Sequence, residues 1–115
     1  MSATKQIRAA FYATASGNEP VRSWLKDMSA DDRKALGEDI AAVEFTWPVG
    51  MPLVRSMKQG LWELRSVLPG NRIARILFCQ AGDQMVLLHG FIKKSQKTPD
   101  EDLALARKRQ KEIAS

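Results

Sequence analysis

The sequence from Leu61 to Ile92, LWELRSVLPGNRIARILFCQAGDQMVLLHGFI, decides the fold of this chain. Its first part, Leu61–Leu68, alternates apolar and polar side chains, as a strand that is buried on one face does. Two further strands are predicted at Arg72–Gln80 and Gln84–Ile92, and the last is apolar on both faces, which is typical of a central strand. Turn signals at residues 69–71 (PGN) and 81–83 (AGD) separate the three strands and predict an antiparallel meander.

Before the meander, the sequence predicts one strand, Gln6–Thr14, followed by two short helices. The first helix begins near Pro20, which is preorganised for the first helical position, and Asn18 or Glu19 can cap it. The second begins at Ser29, with two aspartates in its first turn, where the helix dipole favours carboxylates. Their apolar residues follow the helical period and predict an αα-hairpin: Val21, Leu25 and Met28, then Leu36, Ile40, Val43 and Trp47.

After the meander, residues 98–101 (TPDE) have the pattern of a capping box. Thr98 would be the N-cap, Pro99 would occupy the first helical position and Glu101 would reach back to the cap. The predicted helix runs to about Ile113. The resulting order, β-α-α-β-β-β-α, predicts a single α+β domain over residues 1–115, with helices covering one face of the sheet.

Composition limits the class of protein. The chain has 115 residues, 44% of them apolar, and no stretch approaches the roughly 20 apolar residues of a membrane-spanning helix. The first twenty residues contain no continuous apolar segment of the kind found in secretory signals. The only cysteine, Cys79, cannot form an internal disulfide and lies in an apolar run. We therefore expect a cytoplasmic protein with a buried thiol and no membrane association.

The net charge of +5 is unevenly distributed along the chain. Residues 1–50 contain six Lys or Arg and seven Asp or Glu, whereas residues 51–115 contain twelve and six. Between Arg55 and Lys97 there are eight basic residues and two acidic ones. Such a field attracts polyanions, and nucleic acid is the leading candidate; an acidic protein is the alternative.

The usual catalytic constellations are absent from the sequence. The only histidine, His89, lies in an apolar strand, where a structural role is favoured over that of a general base. One cysteine and one histidine without a nearby group of carboxylates make no metal ligand set, so we expect no metal. The glycines are isolated and form no phosphate-binding loop, so no cofactor is expected.

The remaining chemistry lies in cations on and beside the meander. Strand alternation places Arg65 on the open face if Trp62 and Leu64 pack under the helices. Arg72 and Arg75 cannot share a face by strict alternation, so one of them joins Arg65. The candidate phosphate-binding cations are Arg65, Arg72, Arg75, Lys58, Lys93, Lys94 and Lys97. The alternative is a solvated cationic rim that protects the sheet edge from aggregation.

Three motifs in this region resemble a known family. They are Leu61–Arg65 (LWELR), Asn71–Ile76 (NRIARI) and Leu87–Pro99 (LLHGFIKKSQKTP), in that order and at that spacing. Together they are similar to the phage-derived HigB-like branch of the RelE/ParE toxin superfamily, over about residues 60–106. The resemblance implies a RelE-like fold and a type II toxin that cleaves mRNA, usually on the translating ribosome, until an antitoxin neutralises it.

The resemblance also implies a chemistry and a partner. In this family the ribose 2′-hydroxyl attacks the adjacent phosphate, which leaves a cyclic phosphate and a free 5′-hydroxyl. The antitoxin is expected to be a small helix-turn-helix protein that also binds its operator. Cations on a rigid sheet could promote such a transfer without a metal, by positioning and charge stabilisation.

Individual residues match family positions. Arg72 matches the arginine that stabilises the transition state, and Lys94, or its neighbour Lys93, matches a second phosphate-binding cation. Arg65 matches the arginine of the E-L-R motif, which is either structural or directed at RNA, and Lys97 matches the K-T-P lysine.

The sequence leaves open which residue acts as the general base. Relatives often have a tyrosine, histidine or acid near the C-terminus, and this chain has neither tyrosine nor histidine after His89. A lysine whose pKa is lowered by neighbouring cations is the leading candidate. Glu63, on the face of Arg65, is the other candidate, unless it only pairs with an arginine.

Two other functions remain open. A ParE-like inhibitor of DNA gyrase has the same fold, but the basic meander favours RNA. A non-catalytic relative that only binds its antitoxin is favoured by the missing C-terminal tyrosine or histidine.

Overall fold

The computed structural model describes residues 4–114, which form a five-stranded mixed sheet and three α-helices. The α+β class is therefore confirmed. Along the chain the elements are β1 (Arg8–Phe11), α1 (Pro20–Lys26), α2 (Ala30–Thr46), β2 (Val54–Ser56), β3 (Leu61–Leu68), β4 (Arg72–Ala81), β5 (Gln84–Ile92) and α3 (Asp100–Ala114). The strand order in the sheet is β1-β5-β4-β3-β2, with β1 parallel to β5 and the other neighbours antiparallel.

The predicted meander is confirmed nearly residue for residue. β3 and β5 have the predicted bounds, and β4 is one residue longer than predicted. The connection between β3 and β4 is a single 3-10 turn in which Gly70 and Asn71 have positive φ angles of 78° and 60°. Glycine and asparagine tolerate this left-handed conformation better than other residues, so the turn signal located the strand ends correctly.

The predicted strand count is wrong, because β2 is an additional strand. Its three residues pair with the first half of β3, where Val54 lies opposite Leu64 and Arg55 opposite Glu63. The segment is too short for a period-2 pattern to be recognised, and its extended conformation is stabilised by hydrogen bonds to β3. β1, by contrast, is shorter than the predicted Gln6–Thr14.

The prediction that the helices cover one face of the sheet is also wrong. α1 and α2 pack on one face, and α3 packs on the other, against β4 and β5. Each face accordingly has its own apolar core. The first includes Leu36, Ile40, Leu64, Ile76 and Leu87, and the second includes Leu61, Leu77, Val86, Leu88 and Ala106.

The three predicted N-caps differ in outcome. Glu19 occupies the N-cap position of α1, but its side chain makes no capping hydrogen bond. The Ser29 side chain accepts a hydrogen bond from the Asp32 backbone N–H and caps α2 as predicted. α3 begins at Asp100, later than predicted, and the Pro99 carbonyl accepts the hydrogen bond from the Leu103 N–H. The Thr98 hydroxyl is engaged in a buried contact with β3 and β4 instead of capping the helix.

Cys79 is buried in β4, as expected, and burial raises the pKa of its thiol. A raised pKa leaves less of the nucleophilic thiolate at neutral pH. Within the part of the chain that the structure describes, no helix has the length and apolar composition needed to cross a membrane.

A bulge in β5 sets the direction of its last residues. His89 lies opposite Leu77 and Leu87 lies opposite Phe78, so Leu88 is the additional residue. Beyond the bulge, Gly90 lies directly under the indole ring of Trp24 in α1. A Cβ atom at Gly90 would be 2.5 Å from Trp24 Cζ3. The glycine therefore permits α1 to approach the sheet closely.

We predict that Gly90→Ala destabilises the fold, because the added methyl group forces the Trp24 ring away from β5. The free energy of unfolding, measured by urea denaturation, should fall by about 1–3 kcal/mol. Gly37→Ala is the matched control, since its Cβ meets nothing within 4 Å. In the interior of α2 it should stabilise the protein by up to about 1 kcal/mol. Wild-type stability in Gly90→Ala would contradict this packing account.

Candidate functional site

Two adjoining pockets lie where β3 and β4 meet the segment that follows β5. The first, which we call the central pocket, has a volume of about 180 Å³. The second, which we call the Arg72 pocket, has a volume of about 450 Å³. Both are lined by Lys93 and Gln96. The central pocket is further lined by Met51, Pro52, Arg55, Glu63, Arg65 and Arg75, and the Arg72 pocket by Asn71, Arg72, Ile73, Lys94 and Ser95.

Strand register brings two predicted arginines together in the central pocket. Arg65 on β3 lies opposite Arg75 on β4, on the face that α3 covers. Arg65 is exposed, whereas Arg75 is 5% exposed. The prediction that one of Arg72 and Arg75 joins Arg65 is therefore confirmed, and the residue is Arg75.

Arg75 belongs to a buried polar network with Glu63 and Thr98, each of which is 3% exposed. Its Nη1 lies 3.4 Å from Glu63 Oε1 and donates to the Thr98 hydroxyl at 3.2 Å. The same hydroxyl donates to Glu63 Oε2 at 2.6 Å. The network thus connects β3, β4 and the segment that leads into α3. We call it the Glu63–Arg75–Thr98 triad.

The triad disfavours Glu63 as a general base. One carboxylate oxygen faces the Arg75 guanidinium, and the other accepts the Thr98 hydroxyl proton. A base must reach the proton that it abstracts, and a carboxylate that is both buried and fully paired cannot do so without breaking these contacts. The alternative raised from the sequence, that Glu63 pairs with an arginine, is the arrangement found.

Lys93 is the cation that both pockets share, and it is half-buried. Its backbone N–H donates to the Ile73 carbonyl at 2.7 Å, and its Nζ donates to Gln96 Oε1 at 3.3 Å. Desolvation lowers the pKa of Lys93, and the charges of Arg75 and Arg65 lower it further, against the opposing effect of Glu63. The geometry therefore favours a lysine that loses its proton more readily than an ordinary one.

Arg72 lies on the opposite face of the sheet from Arg65 and Arg75. Its Nη2 donates to Asp32 Oδ1 of α2 at 2.7 Å and to the Pro69 carbonyl at 3.2 Å. The ion pair raises the pKa of Arg72 and lowers the pKa of Asp32. The Arg72 side chain is nevertheless 49% exposed. Part of its guanidinium therefore remains accessible from the Arg72 pocket.

The other predicted cations are divided between the pockets and the remaining surface. Lys94 is exposed and lines the Arg72 pocket. Lys97 lines neither pocket; its side chain is 82% exposed and its Nζ lies 3.6 Å from Asp100 Oδ1. Lys58 lies before the start of β3, away from both pockets, and its carbonyl accepts a hydrogen bond from Arg107.

Three residues of the site were not predicted from the sequence. Arg55 lines the central pocket because β2 pairs with β3, and the missed strand concealed it. Gln96 lines both pockets, and a neutral residue between lysines gives no sequence signal for that position. Asp32 was interpreted only as a helix-dipole residue, although it lies forty positions before its partner Arg72. No local pattern indicates such a long-range ion pair.

His89 has a hydrogen-bond partner on α3. Its Nε2 lies 2.6 Å from Asp102 Oδ1, and its ring stacks on Phe91 with centroids 5.7 Å apart. The structural interpretation of this histidine is thus consistent with its contacts. Among residues 4–114, no group of three His, Cys, Asp or Glu side chains is placed to hold a metal ion.

The fold and the two cationic pockets describe a small basic α+β protein with a surface suited to phosphate. Residues 23–111 match the family model of phage-derived Gp49-like proteins (DUF891), and the chain belongs to this family. The family is part of the RelE/ParE-like toxin group and is associated with toxins of toxin–antitoxin systems. No curated protein matches the chain.

The Arg72–Asp32 pair makes stability depend on pH. Because the pKa of Asp32 is lower in the folded protein than its ordinary 3.8, the pair contributes stability above that value. This contribution is lost as the pH falls through the lowered pKa. We predict that Asp32→Asn is less stable than wild type at about pH 6, and that the difference shrinks towards about pH 3.

The measurement is urea denaturation across this range, with Asp31→Asn as the matched control. Asp31 is exposed in the same helical turn, so its substitution changes the helix dipole interaction without touching Arg72. A stability difference for Asp32→Asn that does not change with pH would contradict the ion-pair account.

Proposed function

We propose that this chain is the toxin of a type II toxin–antitoxin system, of the HigB-like branch, and that it cleaves mRNA on the translating ribosome. The proposal includes a RelE-like arrangement of the fold, a cytoplasmic location and a helix-turn-helix antitoxin as partner. Membership of the Gp49-like family supports the toxin class. The observation that carries the nuclease assignment is the half-buried Lys93 beside Arg65 and Arg75.

The proposed reaction is an internal transfer at phosphorus. Lys93, in its neutral form, removes the proton from a ribose 2′-hydroxyl, and the 2′-oxygen bonds to the adjacent phosphorus. The bond from phosphorus to the 5′-oxygen breaks, and that oxygen takes a proton from water, while the protonated Lys93 returns its proton to the solvent. The products are a 2′,3′-cyclic phosphate and a 5′-hydroxyl end. Since the reaction needs chiefly positioning and charge stabilisation, side chains alone can supply its requirements.

The cations of the central pocket would stabilise the extra negative charge of the transition state. Arg55 and Arg65 are exposed, and neither has an ion-pair partner within residues 4–114. Arginine can engage two phosphate oxygens at once. Arg75 contributes charge from beneath, although Glu63 compensates part of it. Arg72 and Lys94 line the adjoining pocket and not the central one.

A non-catalytic, antitoxin-binding relative is the second candidate, and one contact favours it. The arginine that the resemblance assigns to transition-state stabilisation, Arg72, is engaged by Asp32 at 2.7 Å. A carboxylate in this position competes with phosphate for the guanidinium. Under this alternative the pockets bind an acidic segment of the antitoxin and no transcript is cut.

Expression in a bacterial host distinguishes these candidates. Wild type should arrest growth and leave transcripts with 5′-hydroxyl ends inside translated codons. Lys93→Ala should lower the cleavage rate by about 10²- to 10⁴-fold, the usual contribution of a general base. Lys108→Ala, an exposed substitution on α3 with the same loss of charge, should cleave as wild type does. Growth arrest with intact transcripts, or full activity in folded Lys93→Ala, would overturn the nuclease proposal.

The pH profile of cleavage gives a second prediction. Because only neutral Lys93 accepts a proton, the rate at saturating RNA should rise with pH through the lysine pKa. Arg65→Gln removes a cation that lowers this pKa, so the rising limb should move to higher pH. A limb that stays in place in Arg65→Gln would show that another group titrates.

A further inference from the structure

The two pockets adjoin each other on either side of one short segment. Lys93 and Gln96 line both, and they belong to the stretch between β5 and α3. Arg65 and Arg75 lie on the α3 face of the sheet, whereas Arg72 lies on the α2 face. A ligand that fills both pockets must therefore bend around the beginning of β4, where Arg72 lies. A flexible single strand can follow this path, and a rigid duplex cannot.

The Arg72 pocket has the chemistry of a phosphate site in its own right. It is lined by three cations, Arg72, Lys93 and Lys94, and its lining includes no carboxylate. Asn71 adds a side-chain amide able to donate hydrogen bonds, and Ile73 adds an apolar wall. The Ser95 hydroxyl already donates to the Lys97 carbonyl at 2.8 Å. Its volume of about 450 Å³ is larger than the 180 Å³ of the central pocket.

Asp32 gives the Arg72 side chain a defined position. The carboxylate contacts Nη2 alone in the structure, from α2, and the side chain remains half exposed. The guanidinium has five N–H donors, so pairing through one nitrogen leaves others for a phosphate. Asp32 is thus a positioning residue for Arg72, and the pair does not close the pocket.

We propose that the Arg72 pocket is a second subsite, which binds the phosphate next to the scissile one in a single-stranded RNA. The scissile phosphate then lies in the central pocket, and Lys93 lies between the two. This inference rests on the proposed function, since it assigns a neighbouring phosphate to the same substrate. It predicts that affinity depends on two consecutive phosphates and that Arg72 and Lys94 account for the second.

The test uses two 2′-O-methyl RNA probes of the same sequence, which cannot undergo internal attack. One is a dinucleotide with one phosphate, and the other is a trinucleotide with two. In calorimetric titrations at low salt, wild type should bind the trinucleotide about tenfold more tightly, the effect of one charged hydrogen-bonded contact. Arg72→Ala should lose this gain while its affinity for the dinucleotide is retained.

Two further variants keep the test decisive. Lys94→Ala, a substitution at an exposed residue, should also reduce the gain in affinity, which covers the case in which Arg72→Ala fails to fold. Lys108→Ala controls for net charge and should keep the full gain.

Two results would overturn the subsite but not the RNA-binding proposal. One is an undiminished gain in trinucleotide affinity in folded Arg72→Ala and Lys94→Ala, and the other is equal affinity of wild type for both probes. Failure of wild type to bind either probe would overturn the subsite together with the proposed function.

Discussion

The burial of the Arg75 guanidinium is the constraint on which the rest of the site depends. A charge with 5% of its residue exposed is strongly destabilising unless a countercharge and hydrogen bonds accompany it. Glu63 supplies the countercharge from β3, and the Thr98 hydroxyl joins the two from the start of α3. Arg75 Nη2 also lies 3.4 Å from the Gln96 carbonyl. The same network that stabilises the buried charge therefore fixes the segment that carries Lys93.

A consequence is that the basic residues of the chain separate into two groups. Arg75 is buried and paired with Glu63, whereas Arg55 and Arg65 are exposed. Lys93 lies between these groups, where desolvation and like charges both oppose its protonated form. Arg72 has a different environment. It lies on the other face of the sheet, where Asp32 of α2 stabilises its charge. The two pockets thus share a lysine but differ in electrostatic character.

The sequence predicted the elements whose signals are local. Alternation and turn residues located β3 and β5, and alternation also separated the faces of Arg72 and Arg75. β2 was missed because three residues cannot show a period, and Arg55 was missed with it. The predicted placement of α3 on the same face as α1 and α2 was wrong. The apolar pattern of β5 on both faces indicates that each face of the sheet is covered. The Thr98 network and the Asp32–Arg72 pair join residues far apart in sequence, so only the folded chain shows them.

The central claim is that the Glu63–Arg75–Thr98 triad holds the half-buried Lys93 among like charges. Titration of the lysine side chains by heteronuclear NMR measures this directly. The account predicts that Lys93 in wild type titrates below the ordinary lysine value of 10.5, and that Thr98→Val, which cuts the triad, moves its pKa back towards that value. Titration of Lys93 at the ordinary value in the wild-type protein would contradict the account.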